Sequence, residues 1–178
     1  MQCPSCVESY LRPVKLTDSF PAYHCLACEG YLIDILNYRM WRDSNPQSVE
    51  AKSSIKVIED TSNAVHCPRC DKFMAKYRIS HETDNRLDVC NHCSSIWFDG
   101  GEWHILAKLG LEDKIPEIIS EPWQVNIKKT IAQQSIDGKF QQLLGDDFNK
   151  TKDFAEWIKQ HPKQDVVFDY LLRVKNKL

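Results

Sequence analysis

The residues with the clearest chemistry are the eight cysteines, which fall into four C-x2-C pairs with none left over: Cys3 and Cys6, Cys25 and Cys28, Cys67 and Cys70, Cys90 and Cys93. Eighteen residues separate Cys6 from Cys25 and nineteen separate Cys70 from Cys90, so each half has the form of a four-thiolate zinc site. Two thiolates on one tight knuckle can both point at one ion, and a second knuckle completes the tetrahedron. A closed site of this kind leaves no coordination position for water or a carbonyl, so its zinc is structural. A redox dithiol normally occurs once, in a strand–helix context, whereas here the pair recurs four times. The expectation is two structural Zn2+ ions, with iron the alternative that spacing alone leaves open.

Between the knuckles the chain must run out and return. Phe73, Ala75, Tyr77 and Ile79 alternate with mostly polar residues, Thr83-Asp84-Asn85 supplies a turn, and Leu87 and Val89 alternate again. This predicts an antiparallel hairpin. Sliding the chain by 64 to 65 residues superposes Cys3-Pro4-Ser5-Cys6 on Cys67-Pro68-Arg69-Cys70, and Cys25 and Cys28 on Cys90 and Cys93. The duplication continues into two apolar triplets, Tyr31-Leu32-Ile33 and Ile96-Trp97-Phe98, each ending on an aspartate. A helix is expected to follow each. Asp34 would cap Ile35 to Arg42, and Asp99 with Glu102 has the spacing of a capping box before Trp103, Leu106 and Leu109, with Gly110 as the stop.

With these residues in view, the second copy resembles the bacterial transcription-factor-type zinc-finger family, named for its likeness to the zinc ribbon of transcription factor IIB. The family pattern is C-P-x-C followed by C-x-x-C-x-G-x-W-L-D-x-G-E-L. Cys67-Pro68-Arg69-Cys70 and the run from Cys90 through Trp97, Phe98, Asp99, Gly101 and Glu102 to Trp103 follow it, with Ser95 in place of a glycine. In the first copy Gly30 and Asp34 remain, while Leu32 replaces the tryptophan and Asn37 the glutamate. The resemblance covers roughly residues 1–43 and 65–108. It implies zinc binding and a ribbon fold. Docking on RNA polymerase, which the namesake ribbon performs, would be an analogy from fold.

The expected class is therefore small α+β: two tandem zinc ribbons, each an antiparallel β hairpin with a short helix, followed by an all-α C-terminal region. The expected boundaries are 1–43 for the first ribbon, 44–64 for a linker, 65–110 for the second ribbon and 111–178 for the helical region. The linker holds Pro46, several serines and one small apolar group, Ile55, Val57 and Ile58, which would make one strand or turn. After Leu111 apolar residues recur at helical intervals, Gly145 is a stop, Asp153 would open another helix, and His161-Pro162 would break it before a last amphipathic helix. Three or four helices would form a small bundle that packs on itself.

With 178 residues, 27% of them charged, and a mean hydropathy of −0.47, the chain holds no apolar run near the ~20 residues of a membrane span. Cys3 stands too near the first residue for a basic and apolar leader to precede it, so a cytoplasmic location is expected. Lysine plus arginine against aspartate plus glutamate count 6 to 8 in residues 1–60, 6 to 6 in 61–110 and 11 to 11 in 111–178. Two divalent ions on eight thiolates bring the formal charge of −2 to about −6, which opposes strong phosphate binding. The histidines beside the knuckles, His24, His66 and His92, find four thiolates already filling each tetrahedron. No Gly-rich phosphate loop, H-E-x-x-H or nucleophile elbow is present, so neither enzymatic activity nor a small-molecule substrate is expected.

The function so implied is macromolecular docking, as an adaptor or regulator acting on a protein partner, with transcription machinery the first machinery to consider. Its expected carriers are aromatics at Trp97, Phe98 and Trp103 and a tail stripe that includes Trp157 and Tyr170. The alternatives are direct nucleic-acid binding through Lys76, Tyr77 and Arg78 on the second hairpin, and a redox or iron–sulfur protein.

Overall fold

The alternation that precedes Cys90 closes as a hairpin in the computed structural model, which describes residues 1–6, 8–17, 20–45 and 63–176. Strand β4 (Ala75–Arg78) pairs antiparallel with β5 (Arg86–Val89), setting Ala75 opposite Val89 and Tyr77 opposite Leu87. Counted along the chain, β1 (Arg12–Thr17), β2 (Phe20–His24) and β3 (Tyr31–Asp34) precede them, and β6 (Ser95–Phe98) follows. All six belong to one antiparallel sheet in the order β1-β2-β3-β6-β5-β4. Exchanging the two halves of the chain leaves that order unchanged.

The apolar triplets, read in sequence only as the approach to two helices, are the central strands. Tyr31 lies opposite Phe98, Leu32 opposite Trp97, Ile33 opposite Ile96 and Asp34 opposite Ser95. A continuous short apolar run carries no alternation to announce a strand, because both of its faces are buried. Here one face holds Leu32 and Trp97 among the cysteines. The other holds Phe20, Ile33, Ile96 and Phe98 against the helices.

Helices α1 (Ile35–Ser44), α2 (Glu102–Leu109) and α3 (Ile115–Ile118) cover that second face with Tyr38, Trp41, Trp103, Leu106, Ile115 and Ile118. Phe20 stacks on Trp41 at a ring separation of 5.1 Å, and Trp103 meets Phe98 edge-on at 5.7 Å. The buried Tyr38 hydroxyl donates to the Glu112 carbonyl at 3.0 Å and accepts from the Ile115 amide at 3.3 Å, tying α1 to the segment before α3. Asp34 caps α1 as expected, its carboxylate accepting from the Leu36 amide at 2.8 Å. The expected capping box is only half formed. Glu102 accepts the Asp99 amide at 2.9 Å, but the residue preceding α2 is Gly101 at φ 93°, and the Asp99 carboxylate is engaged elsewhere. Gly110 ends α2 in the left-handed conformation at φ 64°, as its position predicts.

The chain divides into two compact units, Met1–Thr130 and Ile131–Leu178, with α4 (Glu121–Leu144) contributing residues to both. The start of α4 covers the outer edge of β4. The Gln124 side chain accepts the Arg78 amide at 3.1 Å and donates to the Arg78 carbonyl at 2.9 Å, as a neighbouring strand would. In the second unit, Gly145 at φ 55° begins a 3-10 turn (Gly145–Asp147), α5 (Phe148–Gln160) ends at His161, and α6 (Gln164–Lys175) follows. Helix α5 opens five residues before the expected Asp153, continuing directly from the turn. Among the described residues of this unit only Ile158 is buried, so the expected self-packed bundle gives way to helices that display their apolar side chains. The strand or turn expected at Ile55, Val57 and Ile58 lies outside the described residues. No described helix is long and apolar enough to cross a membrane.

A Cβ added at Gly30 would stand 2.3 Å from the Trp97 ring and 2.9 Å from the Phe98 carbonyl. Gly30→Ala is therefore expected to cost at least about 2 kcal/mol, since both neighbours lie in the packed centre of the sheet. Gly138→Ala in α4, where a Cβ meets nothing within 4 Å, is expected to stabilise the helix by about 0.5–1 kcal/mol. Urea unfolding of the two variants checks both signs.

Candidate metal centre

Each knuckle is built by a local backbone device. The first cysteine of a pair donates its amide to a carbonyl five residues on, as Cys25 to Gly30, Cys67 to Lys72 and Cys90 to Ser95. Its own carbonyl accepts the amide four residues on, from Glu29, Asp71 and Ser94 respectively. Those three accepting turns close on residues in the left-handed region, at φ 59°, 59° and 58°. None is glycine, so each turn carries roughly 1 kcal/mol of strain that the rest of the knuckle must hold. At the first knuckle Cys3 donates to the Ser9 carbonyl, and the residue after Cys6 lies outside the described residues.

These turns bring the eight cysteines together as the spacing predicts, in two groups: Cys3, Cys6, Cys25 and Cys28, and Cys67, Cys70, Cys90 and Cys93. Within each group the four sulfurs lie within 4.8 Å of one another. Cys3 and Cys28 are 3.6 Å apart, Cys67 and Cys93 3.5 Å, and Cys70 and Cys90 3.4 Å. None of the eight forms a disulfide. A tetrahedral ion with metal–sulfur bonds of about 2.3 Å requires sulfurs roughly 3.8 Å apart, so both clusters suit a single four-coordinate ion.

The acidities of the thiols point the same way. Burial pushes Cys3 and Cys67 up to about 12 and Cys28 further in the same direction. At Cys25 burial opposes ionisation, but the backbone amides of Cys28 and Ala27 outweigh it and bring the thiol down to about 7. At Cys93 burial is likewise outweighed, here by the Ser95 hydroxyl 3.3 Å away, with the same result of about 7. Each cluster thus combines one readily ionised thiol with at least one that burial keeps protonated. A divalent cation is what would let all four become thiolates, so binding must displace protons and weaken as the pH falls.

The histidines stand outside the sulfur clusters. His24 lies 3.2 Å from the Glu29 carboxylate and stacks on Tyr31 at 4.4 Å, and His66 lies 3.3 Å from the Asp71 carboxylate and packs on Phe73 at 4.1 Å. In both copies the residue before the first cysteine of one knuckle meets the acidic left-handed residue that closes the same knuckle. They brace the turns. Glu102 is fully buried and accepts the backbone amides of Asp99 and Arg86, a structural use in keeping with the capping role its spacing from Asp99 suggests.

Sequence reasoning missed a pair of reciprocal contacts between the halves. Ser5, inside the first knuckle, donates to the Asp99 carboxylate at 3.0 Å, and Trp97 Nε1 donates to the same oxygen at 2.9 Å. Arg69, at the equivalent place in the third knuckle, donates to the Asp34 carboxylate at 2.7 Å. Each C-P-x-C knuckle therefore reaches the aspartate that ends the other half's third strand. The 64- to 65-residue offset holds the signal, since it relates Ser5 to Arg69 and Asp34 to Asp99.

The residues expected to form an interaction surface divide. Trp97 and Phe98 are fully buried and Trp103 nearly so, because the strand and helix that carry them form the centre of the sheet and its cover. They present no surface. Lys76 pairs with the buried Asp88 carboxylate at 2.9 Å, and Arg78 donates to the Ser80 and Thr83 carbonyls and to Asp84. Tyr77 packs partly buried against the helical face. The hairpin cations are thus held by the chain itself. Trp157 and Tyr170 are exposed.

No family model matches the chain, and no curated protein or solved structure matches it significantly. Metal analysis of protein purified without chelator is expected to find two divalent ions per chain, one for each cluster. Excess chelator should remove both, expose eight titratable thiols and abolish the near-ultraviolet signal of the buried Trp97.

Proposed function

We propose that this chain is a non-enzymatic zinc-binding protein, two zinc ribbons joined edge to edge, that acts as a macromolecular docking adaptor or regulator. Two Zn2+ ions fill the sulfur clusters and hold the sheet. The observation that carries the metal reading is the closure of both four-thiol groups within 4.8 Å, with no histidine or carboxylate among them. Sulfur-only tetrahedra suit zinc and leave no position for a substrate. Iron in the same clusters is the competing assignment, and the absorption spectrum of the purified protein separates them because zinc thiolates are colourless in the visible.

Docking draws its support from the second unit. Phe140, Leu143, Phe154, Trp157, Phe168, Tyr170 and Leu172 are exposed there, and Phe154 stacks on Trp157 at 5.7 Å. A groove of about 410 Å³ runs between α4 and α5, lined by Ile136, Phe140, Leu144 and Phe148 and rimmed by Lys152, Glu156 and Lys159. Apolar surface on this scale, edged with charge, is what a protein partner would cover. Direct nucleic-acid reading is the second possibility. It finds less support, because Lys76 and Arg78 already carry internal partners.

The resemblance noted in the sequence makes transcription machinery the first partner class to test. The zinc-loaded chain is expected to co-elute with purified bacterial RNA polymerase, and Trp157→Ala combined with Tyr170→Ala should weaken that binding at least tenfold without changing zinc content. Absence of any complex would remove the transcription assignment. Binding to single-stranded oligonucleotides that falls steeply with salt would favour the nucleic-acid reading instead.

A further inference from the structure

We propose that the two sulfur clusters load metal as one cooperative unit, with Trp97 packed on Gly30 as the residue that couples them. This rests on the metal reading above. Two ribbons tethered only by a linker would bind their ions independently. Here β3 and β6, the strands that leave the second and fourth knuckles, pair with each other at the centre of the sheet.

The clusters also share one apolar core. Cys3 and Cys25 of the first and Cys67 and Cys90 of the second are buried together with Leu32 and Trp97. The Trp97 ring comes so near Gly30 that an added Cβ would sit 2.3 Å from it. Gly30 is no bystander to the first metal site, since its carbonyl accepts the Cys25 amide at 2.9 Å and closes that knuckle. Trp97 in turn follows Cys93 by four residues on the strand that the fourth knuckle launches. The order of one knuckle is thereby transmitted to the other through a single ring.

The reciprocal carboxylate contacts reinforce the path in both directions. Ser5 in the first knuckle and Trp97 hold the same Asp99 oxygen, and Arg69 in the third knuckle holds Asp34 at the end of β3. Filling one cluster fixes its knuckles, its third strand and the half of these contacts that it supplies. The second ion then binds a site already arranged. Such differential organisation is a coupling free energy between sites, and it acts equally in both directions.

Native mass spectrometry of the full chain during zinc titration reads the coupling directly. At one equivalent of zinc the expected population is metal-free and two-zinc protein, with the one-zinc species under about a tenth, whereas independent equal sites would leave about half the molecules with one ion. Accumulation of one-zinc protein to half or more overturns the proposal while leaving the zinc reading intact. Absence of any loaded species at excess zinc overturns both.

Two variants locate the coupling. In Cys90→Ser, which breaks only the second cluster, zinc in the first is expected to pass to a chromogenic chelator at least tenfold more readily, or not to bind at all. An unchanged first-cluster affinity overturns the proposal. Trp97→Leu places in β6 the residue that β3 carries at Leu32, and it should raise the one-zinc population while still taking two ions at excess zinc. All-or-none loading that persists in Trp97→Leu overturns the assignment of the coupling to this ring.

Discussion

The antiparallel pairing of β3 with β6 is the contact around which residues 1–130 are arranged. It joins two similar halves into one sheet, gives that sheet two buried faces, and sets the sulfur clusters on one face and the helices on the other. Two departures from the repeat make sense only across this junction. Trp97 of one half lies over Gly30 of the other, and the register sets Leu32 diagonal to Ser95 in the corresponding place. A large side chain sits over glycine on one side, and a smaller one faces serine on the other. Leu32 lies directly opposite Trp97, and a tryptophan there would bring a second indole into a core where both side chains are already fully buried.

The junction also changes what the metal must do. An isolated ribbon buries too little apolar surface to be stable, so nearly all of its folding free energy comes from its ion. The joined sheet adds a second core on the opposite face, where Phe20, Tyr38, Trp41, Phe98 and Trp103 pack with Leu106, Ile115 and Ile118. Each aromatic brings a large buried area and specific ring contacts. Metal held in the sulfur clusters would thus stabilise one face of the strands whose other face the aromatic core holds. Burial that raises Cys3, Cys28 and Cys67 makes the sulfur face costly to ionise without a cation, and the aromatic face carries no such cost.

The outer edge of β4 is covered by the start of α4. On β4 the Gln124 carboxamide answers the outer amide and carbonyl of Arg78, while Trp123 Nε1 donates to the Ile79 carbonyl at 3.1 Å. Beyond Thr130 the helices turn their apolar residues outward, with Ile158 the only buried one among those described. The first unit holds both buried clusters, and the second offers apolar surface. On that contrast rests the proposal of metal binding for one and docking for the other.

The sequence by itself determined the two four-cysteine groups, the hairpin of β4 and β5, the cap at Asp34 and the stops at Gly110, Gly145 and His161. These are local: a knuckle, a turn or a helix end depends on residues within about five positions, so spacing and residue type suffice. It also showed the repeat, and with it the equivalence of Ser5 to Arg69 and of Asp34 to Asp99. Only the tertiary structure decided that the halves share a sheet and that Trp97 and Phe98 face inward at its centre. Each of these depends on which strand edge meets which. An apolar triplet has no polar face to fix its neighbour, and the partner that settles the matter for Trp97 is a glycine 67 residues earlier in the chain.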